Sequence, residues 1–139
     1  MEKGVAEFIR LFKLENDQIF RDATQRVSNA IVRFSPVDEG EYVADWDVKV
    51  GGWPSDTDPP PDPGRRKTRA RLKATIAEAN YGDAVFFENN DGAAIPLEYG
   101  YSKQAPQGVV RLTVRKWRGF VRGAARAAQN RIKKKLVSE

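Results

Sequence analysis

Leu97-Glu98-Tyr99-Gly100-Tyr101-Ser102-Lys103-Gln104-Ala105-Pro106-Gln107-Gly108 separates two kinds of pattern in the chain. Downstream, Val110, Val114, Trp117, Val121, Ala124, Ala128, Ile132 and Leu136 recur every three or four residues. That spacing predicts one amphipathic helix, about 40 Å long at 1.5 Å per residue. Its Val-rich start, residues 109–114, also suits a strand. Immediately upstream, residues 83–89 (DAVFFEN) read as a strand and Asn90-Asp91-Gly92 as a tight turn. Residues 93–99 form either a short edge strand or a single helical turn, because Pro96 limits regular pairing, and Gly100 closes them.

Some sixty residues before this stretch stands Ser35-Pro36-Val37-Asp38-Glu39-Gly40. It terminates a helical stripe running through Ile19, Phe20, Ala23, Val27, Ala30, Ile31 and Phe34. Pro36 drives Ser35 out of helical geometry, and Gly40 is free to take positive φ in the turn that follows. Residues 2–14, with Val5, Phe8, Ile9, Leu11, Phe12 and Leu14, suit a further helical piece. Leu14-Glu15-Asn16-Asp17 offers a break with an Asn or Asp cap between the two.

After Gly40, Tyr42, Ala44, Trp46, Val48 and Val50 alternate with Val43, Asp45, Asp47 and Lys49, the pattern of a half-buried strand. Asp45 and Asp47 share its outer face; two carboxylates without a third ligand make a poor cation site, and a solvated face is the simpler reading. Residues 51–64 (GGWPSDTDPPPDPG) hold five prolines and three aspartates, which neither pair in a sheet nor bury a core. They read as a flexible loop, either a mobile connector or an arm that orders on a neighbour. Residues 65–79 form a middle helix with Leu72, Ile76 and Ala79 on its buried stripe. Five cations crowd its start, against the helix dipole, so the helix begins nearer Thr68 or an anion compensates. The expected fold is a single α+β domain over 1–139: a long N-terminal helix, a small antiparallel sheet, a middle helix and a long basic C-terminal helix packed on the sheet.

Composition removes whole classes of chemistry. The chain has no histidine and no cysteine, so Ser-His and Cys-His catalysis, disulfide scaffolds and ordinary zinc sites are out by inventory. Lack of cysteine fits a reducing compartment. Glu2, Glu7 and the lack of a small-residue cleavage site give no sign of a secretory leader, and no apolar run spans a bilayer. Phosphate-binding glycine loops, a nucleophile elbow and base-reading or RNA-stacking patterns are missing too. The net charge of +5 hides a separation. Residues 38–62 carry eight acidic side chains and one basic one, whereas residues 99–138 carry eleven basic side chains and no acidic one. Such bipolarity gives two solvated faces, a nucleic-acid surface, or patches that draw copies together.

In order and spacing, the Ser-Pro-Val-Asp-Glu-Gly and Leu-Glu-Tyr-Gly-Tyr-Ser segments resemble those of the tail-completion, or neck, proteins of long-tailed bacteriophages. The resemblance covers residues 20–126, and its signature positions are Pro36, Val37, Asp38, Gly40, Leu97, Glu98, Tyr99 and Gly100. The chain departs from the family pattern in Glu41-Tyr42 after Gly40 and in its longer proline-rich arm. The resemblance implies a non-enzymatic virion protein of the head–tail junction, present in the host cytoplasm during assembly. It implies a homo-oligomeric, hexameric ring that contacts connector and tail proteins, passes DNA with at most weak non-specific contact, and needs neither cofactor nor membrane. It also implies that Glu98 accepts backbone or Arg hydrogen bonds and fixes its loop.

A ring requires a heterologous interface. Asp56, Asp58, Asp62, Arg65, Arg66, Arg122, Arg126, Arg131, Lys133, Lys134 and Lys135 are the candidates for it, acid on one copy meeting base on the next. The alternative function is a non-specific nucleic-acid-binding module that uses the basic C-terminal helix. Enzymatic activity is not expected, since carboxylate-only hydrolysis is the sole route composition leaves and a lone Glu98 is a poor candidate for it.

Overall fold

The computed structural model describes residues 2–55 and 57–138, leaving aside the side chains of Glu2, Lys3 and Phe8. Helix α1 runs without interruption over Glu2–Phe34, about 50 Å by helical rise. The break expected at 14–17, with an Asn or Asp cap, does not occur; Asp17 and its neighbour Glu15 are instead tied to remote parts of the chain. Asp17 accepts the Tyr81 N–H at 2.8 Å, and Glu15 lies 3.3 Å from Arg131 and 3.9 Å from Lys135. At the other end the Pro36 constraint holds. Ser35 makes the last helical bond, its N–H donating to the Ile31 carbonyl at 3.1 Å.

The alternating segment divides into two elements. Glu41–Ala44 is a helical turn, α2, and only Trp46–Val50 is strand, β1. Gly40, with φ of 91°, starts the turn. Consequently Val43, expected on the outer face, is fully buried together with Tyr42 and Ala44. Strand β1 pairs antiparallel with β2, Val85–Asn89, in the register Trp46↔Asn89, Val48↔Phe87 and Val50↔Val85. Between the strands, α3 spans Arg66–Ile76 and buries Thr68, Leu72 and Ile76. Helix α4 is the single turn Ala94–Glu98.

The C-terminal helix is two helices rather than one: α5, Val110–Arg115, and α6, Trp117–Ser138, joined at Lys116. Burial explains the joint. Val109, just before α5, and Thr113 within it are buried, while Val110 and Val114 are exposed. Thr113 Oγ1 also donates to the Val109 carbonyl at 2.8 Å and the Lys116 N–H to the Thr113 carbonyl at 3.1 Å, a tightened last turn.

The fold is α+β, as expected, but the C-terminal helix packs mainly along α1 rather than on the small antiparallel sheet, whose β1 is covered by α3. Helix α3 packs on β1 and on α1, while α6 lies along α1. The α1–α6 pair is antiparallel: Gly123 sits against Arg26 and Arg131 against Glu15. Ile31, Val32, Tyr42, Val43, Trp46, Val48, Leu72, Ile76, Ala105 and Val109 make the core. A buried polar relay threads it: Trp46 Nε1 donates to Ser35 Oγ at 2.9 Å, and that hydroxyl donates to the Ile31 carbonyl at 2.6 Å. The Trp46 indole and the Ser35 hydroxyl thereby both have partners, the condition for placing them inside.

Candidate assembly site

The first signature segment meets the loop that directly follows the second. Gln104 accepts the Val37 N–H through Oε1 at 3.0 Å and donates from Nε2 to the Val37 carbonyl at 3.3 Å. Val37 and Leu97 both pack against the core. Gly40 serves the same junction from beneath. Its carbonyl accepts the Asp62 N–H at 2.9 Å, and a Cβ on it would strike the backbone of Asp62 and Pro63. A residue with a side chain would therefore be excluded both by φ and by space.

Glu98 closes the other side. Its carboxylate accepts the N–H groups of Val109 at 3.0 Å, Val110 at 2.6 Å and Arg111 at 3.0 Å, the otherwise unpaired donors at the start of α5. Arg111 Nη2 donates back to the Glu98 carbonyl. A negative charge on free N–H groups at a helix start is favourable both as hydrogen bonding and against the dipole. Gly108 makes room for it, since a Cβ there would lie 2.6 Å from Glu98 Oε2. The turn itself is a Schellman closure: Tyr101 N–H bonds to the Pro96 carbonyl at 3.2 Å and Gly100 N–H to the Leu97 carbonyl at 3.1 Å. Tyr99 is left pointing outward and exposed, with the Arg111 guanidinium 6.0 Å from its ring centre. Tyr42 lies beneath the junction. Burial raises its phenol pKa above the ordinary value, and the negative charges of Glu98 and Asp91 push it further the same way.

The candidate interface residues separate into those spent inside the subunit and those left on its surface. Asp62 is buried, and its Oδ2 accepts the Thr68 N–H at 2.7 Å. It is the internal anion that offsets the cations at the start of α3, so it is taken out of any surface contact. Arg65 takes the left-handed conformation, φ 63°, and donates from Nη2 to the Ser35 carbonyl at 3.0 Å. Arg131 and Lys135 share Glu15. Asp58 and Arg66 are exposed, as are Arg122, Arg126, Lys133 and Lys134. Asp56 lies outside the described residues. On β1, Asp47 pairs with Arg71 at 3.3 Å, and no cluster of three potential metal-ligating side chains occurs among the described residues. The proline-rich segment is anchored at both ends, by Asp62 and by Trp53 packed edge-on against Phe86 with ring centres 4.8 Å apart.

The contributions of Gln104, Asp62 and Arg71 are not visible in the sequence. Arg71 donates to the Ala44 carbonyl at 2.8 Å and thereby holds α2 against α3. An acid just before a basic helix start was the available signal for Asp62; Gln104 carried none.

Large apolar side chains crowd the far end of the α1–α6 pair. Val5, Ile9, Leu11, Phe12 and Leu14 on α1 and Ile132, Leu136 and Val137 on α6 are all exposed, Leu136 to 69% and Val137 to 86%. No helix among the described residues is long and apolar enough to cross a membrane. No known protein family, curated protein or solved structure matches the chain.

Proposed function

We propose that this chain is a structural subunit of the head–tail junction of a long-tailed phage particle, assembling with copies of itself into a ring that joins tail to capsid connector and lets DNA pass. The observation that carries the reading is the exposed apolar end of the α1–α6 pair. Scattered exposed apolar residues are ordinary, but so many large ones near the same end of two adjacent helices point to a surface that a partner covers. The clamp between the first signature segment and the loop that follows the second supports the resemblance from which the ring and its hexameric order come. The mechanism is passive: subunit contact, ordering of the proline-rich segment against a neighbour, and a channel. Absolute mass by light scattering, with electron micrographs of the same sample, tests it. Closed rings at a fixed multiple of 15.6 kDa are expected; a monomer at every concentration, with no rings on the grid, would refute it.

The second reading is a module that binds nucleic acid without sequence preference. Arg122, Arg126, Lys133 and Lys134 favour it, exposed on α6 with no carboxylate partner among the described residues. Its mark would be duplex binding that weakens steeply between about 50 and 200 mM salt and is indifferent to sequence.

A further inference from the structure

Arg33 at the end of α1, Arg65 at the start of α3 and Lys116 at the α5–α6 joint come from three distant parts of the chain. They line one cavity of about 390 Å³, together with Ser35, Gln104 and Gln107. Among the described residues no carboxylate lines this cavity. Among the described residues none of the three cationic side chains has an acidic partner: Arg33 lies over the Phe34 ring at 4.8 Å, and the Arg65 guanidinium donates to the Ser35 carbonyl. Arg65 Nε is buried with no hydrogen-bond partner at all. Three like charges on a concave wall, with an N–H left unsatisfied, focus a positive field and call for an oxyanion.

The opposite arrangement lies across the Gln104–Val37 bridge. A cavity of about 420 Å³ there is lined by Asp38, Glu39, Glu41 and Asp91, shares Gln104 with the first, and among the described residues has no cation on its wall. Asp38, Glu39 and Glu41 are exposed on the turn entering α2, three carboxylates within four residues. None of them has a cationic partner among the described residues.

We infer that the Arg33–Arg65–Lys116 pocket receives the acidic turn, residues 38–41, of a second copy of this chain. This deepens the ring reading and rests on it. Turn and pocket are opposite in sign and equal in number of charges, and they occupy the two flanks of one bridge. Each copy thus offers its turn to one neighbour and its pocket to another, a heterologous contact that repeats around a ring. A guanidinium gives the carboxylate a planar, two-point partner, and the unsatisfied Nε and the glutamine amides supply further donors. Complementary charge of this kind sets register and excludes the wrong face.

A mixing experiment tests the inference. One variant reverses the pocket, Arg33→Glu with Lys116→Glu, and leaves Arg65 in place. The other reverses the turn, Glu39→Lys with Glu41→Lys. Circular-dichroism melts of both establish that they fold, and Arg33→Gln with Lys116→Gln serves as a milder second pocket variant. Each reversed variant alone is expected to self-associate at least about tenfold more weakly than the wild type. An equimolar mixture of the two is expected to recover wild-type mass, because every turn then meets a pocket of opposite sign. Rings that form equally well from either variant alone would overturn the inference and leave the ring reading standing. Failure of the mixture to recover would overturn it as well. So would a pocket variant of unchanged mass that has lost short-duplex DNA binding, since the pocket would then serve phosphate. A monomeric wild type removes the ring reading itself, and this contact with it.

Discussion

Gln104 holds the backbone of Val37 from both sides, accepting its N–H at 3.0 Å and donating to its carbonyl at 3.3 Å, across 67 residues of chain. A side-chain amide carries a donor and an acceptor on separate atoms and so engages both backbone groups at once, mimicking a strand partner for a single residue. Gln104→Ala is expected to lower stability by about 1–2 kcal/mol, two net hydrogen bonds at a partly exposed site. Gln104→Glu keeps the acceptor and loses the donor, so it should fall between. Urea denaturation checks this, with the midpoint moving and the m-value unchanged.

Glu98 carries more. Its carboxylate satisfies three consecutive N–H groups at the start of α5, and its removal leaves them unpaired while also uncovering the helix dipole. Glu98→Ala is expected to cost about 2–3 kcal/mol. Glu98→Gln should be only partly conservative, because its amide group brings N–H donors towards donors. Thermal melting of the two variants beside the wild type ranks them.

Three glycines grade the role of backbone conformation and space. Gly40 combines φ of 91° with backbone of Asp62 and Pro63 where a Cβ would go. Gly51 has φ of 83° in open space, and Gly52 has neither constraint. Alanine should therefore cost about 3 kcal/mol or more at 40, about 1 at 51, and close to nothing at 52. Equal effects at all three would show that Asp62 and Pro63 do not press on Gly40.

Tyr42 gives the domain an alkaline limit. Its folded-state pKa is raised by burial first and then by the charges of Glu98 and Asp91. The unfolded chain therefore loses the phenol proton more readily than the folded one. The stability tied to this group is fully present below the ordinary tyrosine value of about 10 and is lost progressively as pH rises above it. Tyr42→Phe should flatten the decline of stability with pH above about 10, and the phenolate absorbance that it removes should develop only as the wild type unfolds.

Much of this architecture was legible in the sequence wherever its causes were local. Pro36 ended α1 and Gly40 took positive φ, as those residues dictate. The stripe Leu72, Ile76 and Ala79 is wholly buried. The single turn at 94–98 was one of two readings allowed by Pro96. What escaped depends on remote partners. Tyr42, Ala44 and Trp46 alternate like a strand, yet Arg71 and Asp62 hold the first half of that segment as a helical turn. Glu15 and Asp17 read as a helix break until their partners at 131, 135 and 81 are in place. The charge separation was visible, but not that Asp62 would be used internally, nor that Arg33, Arg65 and Lys116 would share one cavity.

The most direct test of assembly through the exposed apolar helix ends is absolute mass in solution, measured for the wild type and for Leu136→Ser with Ile9→Ser. Both substituted positions are exposed, so monomer stability should change by no more than about 0.5 kcal/mol at each site. The wild type is expected at a fixed multiple of 15.6 kDa, and the variant is expected to fall towards the single-chain mass at the same concentration. Both proteins at the single-chain mass throughout, or both in the same ring, would contradict the account.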